Sequence, residues 1–335
     1  MTPKHKFAVV ALAAATVLPS FAAVISLTAD NGGGTSGFTG TTGWSVAAVP
    51  SAGNTYQNAG FLLRTPTTAN TNFTFAGDSL TITDRVGATG FAGVANHALM
   101  WKGTGTTNNI ITINNLIING GQIRHGSGSA DTFTLAGNIT VGANGAGFGT
   151  QGGMLVTAPI SGGTGTTDPA STVGAITIMN SGNTEAARTV FFQSAANTFA
   201  GNIFLNSSQS KLTFNNGGVA NFVLGATGVN NRITVNSGAT LNLDGLFKIN
   251  SVSADLTPGN TWNLISGTAV YGSNFGIENF TTSDSTVWTN GAGTLQFSKL
   301  TGTVTALAAV PEPSAFAALA GLAVLGFGAS RRRRA

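Results

Sequence analysis

Two short β-strand patterns flank a turn in Ile233-Thr234-Val235-Asn236-Ser237-Gly238-Ala239-Thr240-Leu241-Asn242-Leu243. Apolar residues alternate with Thr or Asn in both, which is typical of a strand with one buried and one exposed face. Asn236 follows the first pattern, and similar patterns precede Asn114, Asn180 and Asn215. We expect these asparagines to adopt the left-handed backbone conformation that tight turns need. The stretch therefore predicts short β-strands joined by tight turns.

The first of these patterns, an aliphatic residue, then Thr, then an aliphatic residue or Phe, recurs along the chain. Its copies are Leu80-Thr81-Ile82, Ile111-Thr112-Ile113, Ile139-Thr140-Val141, Ile176-Thr177-Ile178, Leu212-Thr213-Phe214 and Ile233-Thr234-Val235. Spacings of 21 (Leu212 to Ile233), 28 (Ile111 to Ile139) and 31 residues (Leu80 to Ile111) fit coils with loops of varying length. Coils of about 20–30 residues bury their inward side chains only by stacking. The pattern favours a parallel β-helix; a β-sandwich or jelly roll is the alternative.

The segment from Asn197 to Gly245 carries a more specific pattern. Asn197-Thr198-Phe199-Ala200-Gly201 leads into the strand Ile203-Phe204-Leu205, and further strands follow. This order resembles the autotransporter-associated β-strand repeat, and the resemblance implies a right-handed parallel β-helix. We expect the β-helical region to span residues 23–257. Longer alternating strands in residues 258–309 predict a C-terminal β cap, which a stack of coils needs to cover its last coil.

The C-terminal residues 310–335 form a separate unit. Val310-Pro311-Glu312-Pro313 precedes uncharged residues 314–330, and Arg331, Arg332, Arg333 and Arg334 follow. Seventeen residues at about 1.5 Å each are near the lower limit for a transmembrane helix, and the arginines would stop translocation. The layout resembles the PEP-CTERM sorting signal of Gram-negative bacteria. That resemblance implies recognition of residues 310–313 by an exosortase, transient anchoring in the inner membrane, and delivery to the cell surface or extracellular matrix.

The N-terminus also predicts export. Lys4, His5 and Lys6 precede an apolar run over residues 7–18, and Ser20-Phe21-Ala22 places small residues at the positions that signal peptidase requires. We expect residues 1–22 to be a signal peptide that engages the Sec machinery, with cleavage after Ala22.

Charge is concentrated in these two terminal segments. The chain has 15 basic and 11 acidic residues, but between residues 23 and 309 the numbers are 9 and 10. The sequence pI of about 9.8 therefore gives no reason to expect nucleic acid as a partner. The chain contains no Cys, so disulfides and thiolate metal sites are excluded.

Candidate catalytic residues are scattered. Asp78, Asp84 and Arg85 lie close in sequence, and the other candidates are His97 with Lys102 and Arg124 with His125. Glycoside hydrolases need paired carboxylates, and calcium sites need clustered ones, so we interpret most of these charges as turn residues and predict no catalysis, metal or cofactor. An exposed aromatic row would instead indicate glycan binding. The aromatic candidates are Trp44, Tyr56, Trp101, Trp262, Tyr271 and Trp288.

Together these features predict an exported, exosortase-sorted structural or adhesive protein of the cell surface or of a biofilm's extracellular matrix. Its expected partners are the Sec machinery, signal peptidase, exosortase, the membrane around the C-terminal helix and exopolysaccharide. The alternative is a carbohydrate-binding or polysaccharide-degrading protein on the same scaffold.

Overall fold

The computed structural model describes residues 23–84, 98–126, 131–163, 168–180 and 189–308, together with residue 322. These residues form 28 β-strands, and no helix among them is long and apolar enough to cross a membrane. The predicted signal peptide and, apart from residue 322, the predicted membrane helix lie outside the described residues.

Two of the strands have ten residues, and the others have two to five. In chain order they are β1 Ala23–Ser26, β2 Asn54–Gln57, β3 Leu63–Arg64, β4 Phe73–Thr74, β5 Ser79–Thr83, β6 Ala98–Trp101, β7 Ile110–Asn119, β8 Gln122–His125, β9 Thr132–Val141, β10 Ala146–Thr150, β11 Gly153–Val156, β12 Ile160–Gly162, β13 Ile176–Asn180, β14 Val190–Phe192, β15 Ile203–Leu205, β16 Lys211–Phe214, β17 Val219–Val223, β18 Ile233–Val235, β19 Thr240–Leu243, β20 Leu246–Asn250, β21 Thr261–Asn263, β22 Ile265–Ser266, β23 Ala269–Tyr271, β24 Gly276–Ile277, β25 Phe280–Thr281, β26 Val287–Asn290, β27 Leu295–Ser298 and β28 Thr303–Ala306.

Three parallel sheets make up most of the molecule. The first has the order β1-β2-β5-β7-β9-β11-β14-β16-β19-β23, with β4 and β12 beside it; the second is β22-β18-β15-β13-β10-β8-β6-β3, and the third is β17-β20-β24. From β2 onward the chain alternates between the first and the second sheet. Each new strand lies beside the strand that the preceding coil contributed to the same sheet. The all-β prediction is confirmed. This parallel stacking is consistent with a β-helix and does not fit an antiparallel sandwich or jelly roll.

A ladder of apolar side chains forms the core beneath the first sheet. Its six members occupy aligned positions on successive strands and are at most 2% exposed; they are Ile111, Leu135, Val156, Phe192, Phe214 and Leu243. The rings of Phe192 and Phe214 meet edge to face with centroids 5.5 Å apart. Stacking the coils therefore buries side chains that no single coil could shield from water.

All six predicted aliphatic-Thr patterns lie in strands, with the first and third residues buried. None of the three predicted spacings is a coil length. Leu80 is aligned with Leu116 and Ile111 with Leu135, while Leu212 lies in the first sheet and Ile233 in the second. Leu212 is aligned with Leu241, and Ile233 with Ile203, which gives coils of 29 and 30 residues. The same alternation suits either sheet, so the pattern alone does not reveal which strands are neighbours.

The expected turn asparagines do not adopt left-handed conformations. Among the described non-glycine residues, only Ala59, Asn70, Asn108, Asn279 and Ser285 have positive φ. Gly217 and Gly238, with φ of 88° and 82°, take the left-handed positions after Asn215 and Asn236 instead. Glycine has no Cβ and adopts this conformation without strain.

Buried asparagines hold neighbouring coils together. Six of them are at most 5% exposed, namely Asn31, Asn58, Asn197, Asn202, Asn230 and Asn231. The Oδ1 of Asn231 accepts from the backbone N–H of Val223 at 2.7 Å, and its Nδ2 donates to the carbonyl oxygens of Asn221 at 2.9 Å and Gly201 at 3.2 Å. These bonds satisfy polar groups that would be costly to bury alone.

The N-terminal end of the stack is covered by a loop after β1. Leu27, Phe38 and Trp44 on this loop are at most 5% exposed. The Trp44 ring meets Tyr56 with centroids 5.0 Å apart, and its Nε1 donates to the carbonyl oxygen of Gly37 at 2.7 Å. The core is therefore closed at this end by aromatic rings.

The C-terminal end is covered by an antiparallel sheet of order β21-β28-β27-β26-β25. Phe297 on β27 is fully buried, and its ring lies 5.9 Å from that of Phe247 in the parallel stack. Parallel pairing continues as far as β24. The region 258–309 therefore contains the last three parallel strands as well as this antiparallel sheet, which we call the cap sheet.

Candidate functional site

The predicted acidic candidates do not form a pair. Asp78 and Asp84 flank the five-residue strand β5 at opposite ends, which separates them by about 20 Å at 3.3 Å per residue. Arg85 and His97 lie outside the described residues. Within the part of the chain that the structure describes, no three His, Cys, Asp or Glu side chains are grouped so that they could hold a metal ion.

Carboxylates instead accept hydrogen bonds from turns and from neighbouring coils. Asp30 accepts from the backbone N–H of Leu62 at 2.7 Å, and Asp78 from that of Gly53 at 2.9 Å. Hydrogen bonds from Asn274, from Thr257, and from Thr286 and Val287 lower the pKa values of Asp244, Asp255 and Asp284, respectively. A general acid needs a raised pKa, so these three carboxyls are in the wrong state for that role at neutral pH.

Arg124 and His125 are neighbours on β8 and point to opposite faces. His125 is fully buried, with its ring centroid 4.7 Å from that of Trp101. Burial lowers the pKa of Arg124. Burial, and then the charge of Arg64, lowers the pKa of Lys102, whose Nζ donates to the carbonyl oxygen of Gly126. The alternation along β8 therefore prevents Arg124 and His125 from acting on one substrate atom.

Four of the six aromatic candidates, Trp44, Tyr56, Trp101 and Trp262, are buried in the core. Tyr271 and Trp288 are half-buried and lie close together at the C-terminal end, where both contact the ring of Phe275. Of the six candidates for a glycan-binding row, only this pair is not buried in the core.

Lys299, which the sequence did not single out, joins these rings. Its Nζ lies 5.3 Å from the ring centroid of Tyr271, 4.9 Å from that of Phe275 and 5.7 Å from that of Trp288. A Lys ammonium within about 6 Å of an aromatic face is attracted by the ring quadrupole. We call these four residues the cap cage.

The cap cage borders an open groove of about 410 Å³ between the last coil and the cap sheet. We call it the cap groove. Thr268, Ala269 and Tyr271 line the side formed by the last coil, and Thr286, Lys299 and Leu300 line the other. Burial raises the pKa of Tyr271 to about 12 and lowers that of Lys299. The groove thus combines the ring of Tyr271, hydroxyl groups and the ammonium of Lys299.

The sequence carries only a weak signal for this site. Trp288 on β26 and Phe297 on β27 are aligned by the antiparallel register, and Lys299 follows two residues later. Tyr271, on the last parallel strand of the first sheet, reaches the same place only because the cap sheet folds over the final coil. Trp288 on β26 and Lys299 directly after β27 lie eleven residues apart, and this pair could have suggested the cage.

One segment of the chain, at its C-terminal end, matches a known family model. Residues 309–334 match the PEP-CTERM protein-sorting motif. This segment contains Pro311-Glu312-Pro313 and the four arginines, and the motif implies export and exosortase-dependent sorting to the surface of a Gram-negative cell. Its residues lie outside the described part of the chain, except for residue 322. No curated protein and no solved structure matches the chain.

Proposed function

We propose that this protein is an exosortase-sorted structural or adhesive protein of the cell surface or extracellular matrix, without catalytic activity. The observation that carries the proposal is the sorting motif at residues 309–334. In this account Val310, Pro311, Glu312 and Pro313 are recognised by the exosortase. The tail helix anchors the chain in the membrane before processing, and Arg331 to Arg334 stop its translocation.

The remainder of the chain is proposed to be a right-handed parallel β-helix built from autotransporter-associated repeats. The parallel stacking of the three sheets and the burial of Asn197 and Phe199 in the predicted repeat support this architecture. A scaffold role is supported by carboxylates such as Asp30 and Asp78, which bond to the backbone of neighbouring coils. No cofactor and no nucleic acid takes part in the proposal.

Export is proposed to proceed through the Sec machinery, with signal peptidase cleaving after Ala22. This cleavage would retain the described strand β1, Ala23–Ser26. Its core residue Ile25 is 6% exposed and would remain in place beside Tyr56.

Substitution of Glu312 by Ala tests the proposal. We expect Glu312→Ala to leave membrane insertion intact and to block release, because only recognition of the motif is lost. Asp168→Asn is the control, since Asp168 is exposed and Asn retains an acceptor for the backbone N–H of Ala170. Quantitative mass spectrometry of the extracellular fraction measures release. Equal amounts of processed protein from Glu312→Ala and wild type would contradict exosortase sorting.

Glycan binding is the second candidate function, and the cap groove is the observation that favours it. The ring of Tyr271 and the ammonium of Lys299 are the kinds of group that recognise sugars with an acidic substituent.

A further inference from the structure

The cap groove is larger than closure of the stack requires. At the N-terminal end, Phe38 and Trp44 close the core. At the C-terminal end, Phe275 and Phe297 are buried to a similar degree, yet a groove of about 410 Å³ remains beside them. This volume is in the range of small-molecule sites. Another cavity, of about 20 Å³ beside Phe199 and Phe214, has room for no more than a single water.

The charge in the lining of the cap groove favours a negatively charged ligand. Within the described part of the chain, Lys299 is the one charged side chain that lines the cap groove, and no carboxylate lines it. Among the described residues, Lys299 has no acidic partner, and its Nζ makes no hydrogen bond, although it contacts three aromatic rings. Its ammonium therefore retains its hydrogen-bond donors for an anion. Lys248, in contrast, pairs with Glu278 at 3.3 Å.

The walls of the cap groove favour a ligand with an apolar face and a polar edge. Tyr271 is half-buried, and Leu300 on the opposite wall is 93% exposed, so both can contact the apolar face of a sugar ring. Thr268, Thr286 and Tyr271 place hydroxyl groups along the same walls. Hydroxyls beside an apolar surface match a sugar, which has an apolar C–H face and a polar rim.

We propose that the cap groove binds a carboxylate-bearing sugar unit of an acidic polysaccharide. The ammonium of Lys299 pairs with the carboxylate, and Tyr271 and Leu300 pack against the two sides of the sugar. The proposal deepens the adhesive role in the proposed function by giving it a site and a ligand class. It is tested on purified protein, so a failure of sorting leaves it unaffected.

An extended peptide is the competing occupant. Strand β23 pairs with β19 on one side only, so its other edge has backbone groups that a peptide strand could bond. We favour the acidic sugar because main-chain pairing would not use the Lys299 ammonium, and a peptide strand carries no required negative charge.

The test measures binding of polygalacturonate oligosaccharides to the full-length protein in mild detergent by isothermal titration calorimetry. Neutral dextran oligosaccharides and an uncharged extended peptide are parallel probes. We expect wild type to bind polygalacturonate in preference to dextran, with affinity falling as salt screens the ion pair. Lys299→Gln should weaken binding about tenfold, as expected for loss of one charge-assisted hydrogen-bonded pair. The matched control Lys248→Gln should stay within about twofold.

Three outcomes would overturn the proposal: no binding of polygalacturonate by wild type, equal binding by Lys299→Gln, or binding of the peptide alone. If Lys299→Gln failed to fold, the wild-type pH profile would decide. Burial lowers the pKa of Lys299, so affinity should fall as pH rises through a value below the ordinary 10.5. An affinity that does not change over that range would contradict a role for the ammonium.

Discussion

The two ends of the stack are both covered by aromatic residues, but the tryptophan indoles at the two ends differ in their hydrogen bonding. At the N-terminal end, the indole Nε1 of Trp44 donates to the carbonyl oxygen of Gly37 at 2.7 Å, and the ring is 5% exposed. At the C-terminal end, the Nε1 of Trp288 is buried with no hydrogen-bond partner, and Lys299 has no acidic partner among the described residues.

This difference distinguishes the two ends of the stack, because covering a coil does not by itself require the unpartnered groups of the C-terminal end. Burying a donor without an acceptor costs about 1–3 kcal/mol, so the C-terminal arrangement is not the most stable way to cover a coil. Departures from local stability are concentrated at functional sites. The cap cage and cap groove therefore mark the end where we expect a ligand.

The largest expected effect is a difference between the two tryptophans. Trp44→Ala should destabilise the protein by about 3–5 kcal/mol, because it leaves a cavity in a closed aromatic cluster. Trp288→Ala should cost about 1–2 kcal/mol, since its ring is half-buried and its unpartnered donor is removed as well. Chemical denaturation of the full-length protein measures both. A reversed ranking would show that the C-terminal cap carries the greater share of the stability.

A smaller effect is expected from two asparagines with similar bonding. Asn31 is 1% exposed and accepts from the backbone N–H groups of Gly37 at 2.8 Å and Arg64 at 3.0 Å. Asn290 accepts from those of Thr294 at 2.8 Å and Leu295 at 2.9 Å, but it is half-buried.

Asn31→Ala should therefore cost about 2–4 kcal/mol, because two donors lose their acceptor away from water. Asn290→Ala should cost about 1 kcal/mol, since water can replace the lost acceptor. Urea titration of the two variants checks the comparison. Equal losses would mean that the two ends are equally well sealed from water.

The smallest expected effect is a pH dependence that arises from Tyr271 and Lys299 at the C-terminal end. The pKa of Tyr271 is raised to about 12 from its ordinary value of 10, so the unfolded chain loses this proton first. The stability linked to Tyr271 should be fully present below about pH 10 and lost as pH rises to about 12. Lys299 acts in the opposite sense, because its pKa is lowered: stability should rise with pH between that lowered value and 10.5.

Tyr271→Phe separates these two contributions. Denaturation midpoints over the alkaline range should fall less steeply in the variant than in wild type, because Phe has no proton to lose. Identical pH profiles would show that the phenol titrates alike in the folded and unfolded chains.

Local features of the fold were predictable from the sequence, and long-range ones were not. Alternation placed all six aliphatic-Thr patterns in strands with the correct buried face, because the period of two is a local property. It could not show that Leu212 is a neighbour of Leu241, since strands of both sheets follow the same pattern.

The asparagines were misread because a turn pattern does not show which of its residues is left-handed. Asn215 and Asn236 do begin turns, accepting from the backbone N–H groups of Gly218 and Ala239, but Gly217 and Gly238 take the left-handed positions. The cap cage was missed because Tyr271, Trp288 and Lys299 lie on three separate segments that meet only in the folded cap. The sorting motif, in contrast, is contiguous and could be read directly from residues 310–334.

The most direct test of a scaffold that binds glycans without cleaving them is an assay for turnover. Purified full-length protein is incubated with pectin, alginate or the native matrix, with and without calcium, and new reducing ends and unsaturated sugars are quantified. We predict that neither product forms. Turnover that disappears on substitution of Asp84 or His97 would contradict the account and show that the chain is an enzyme.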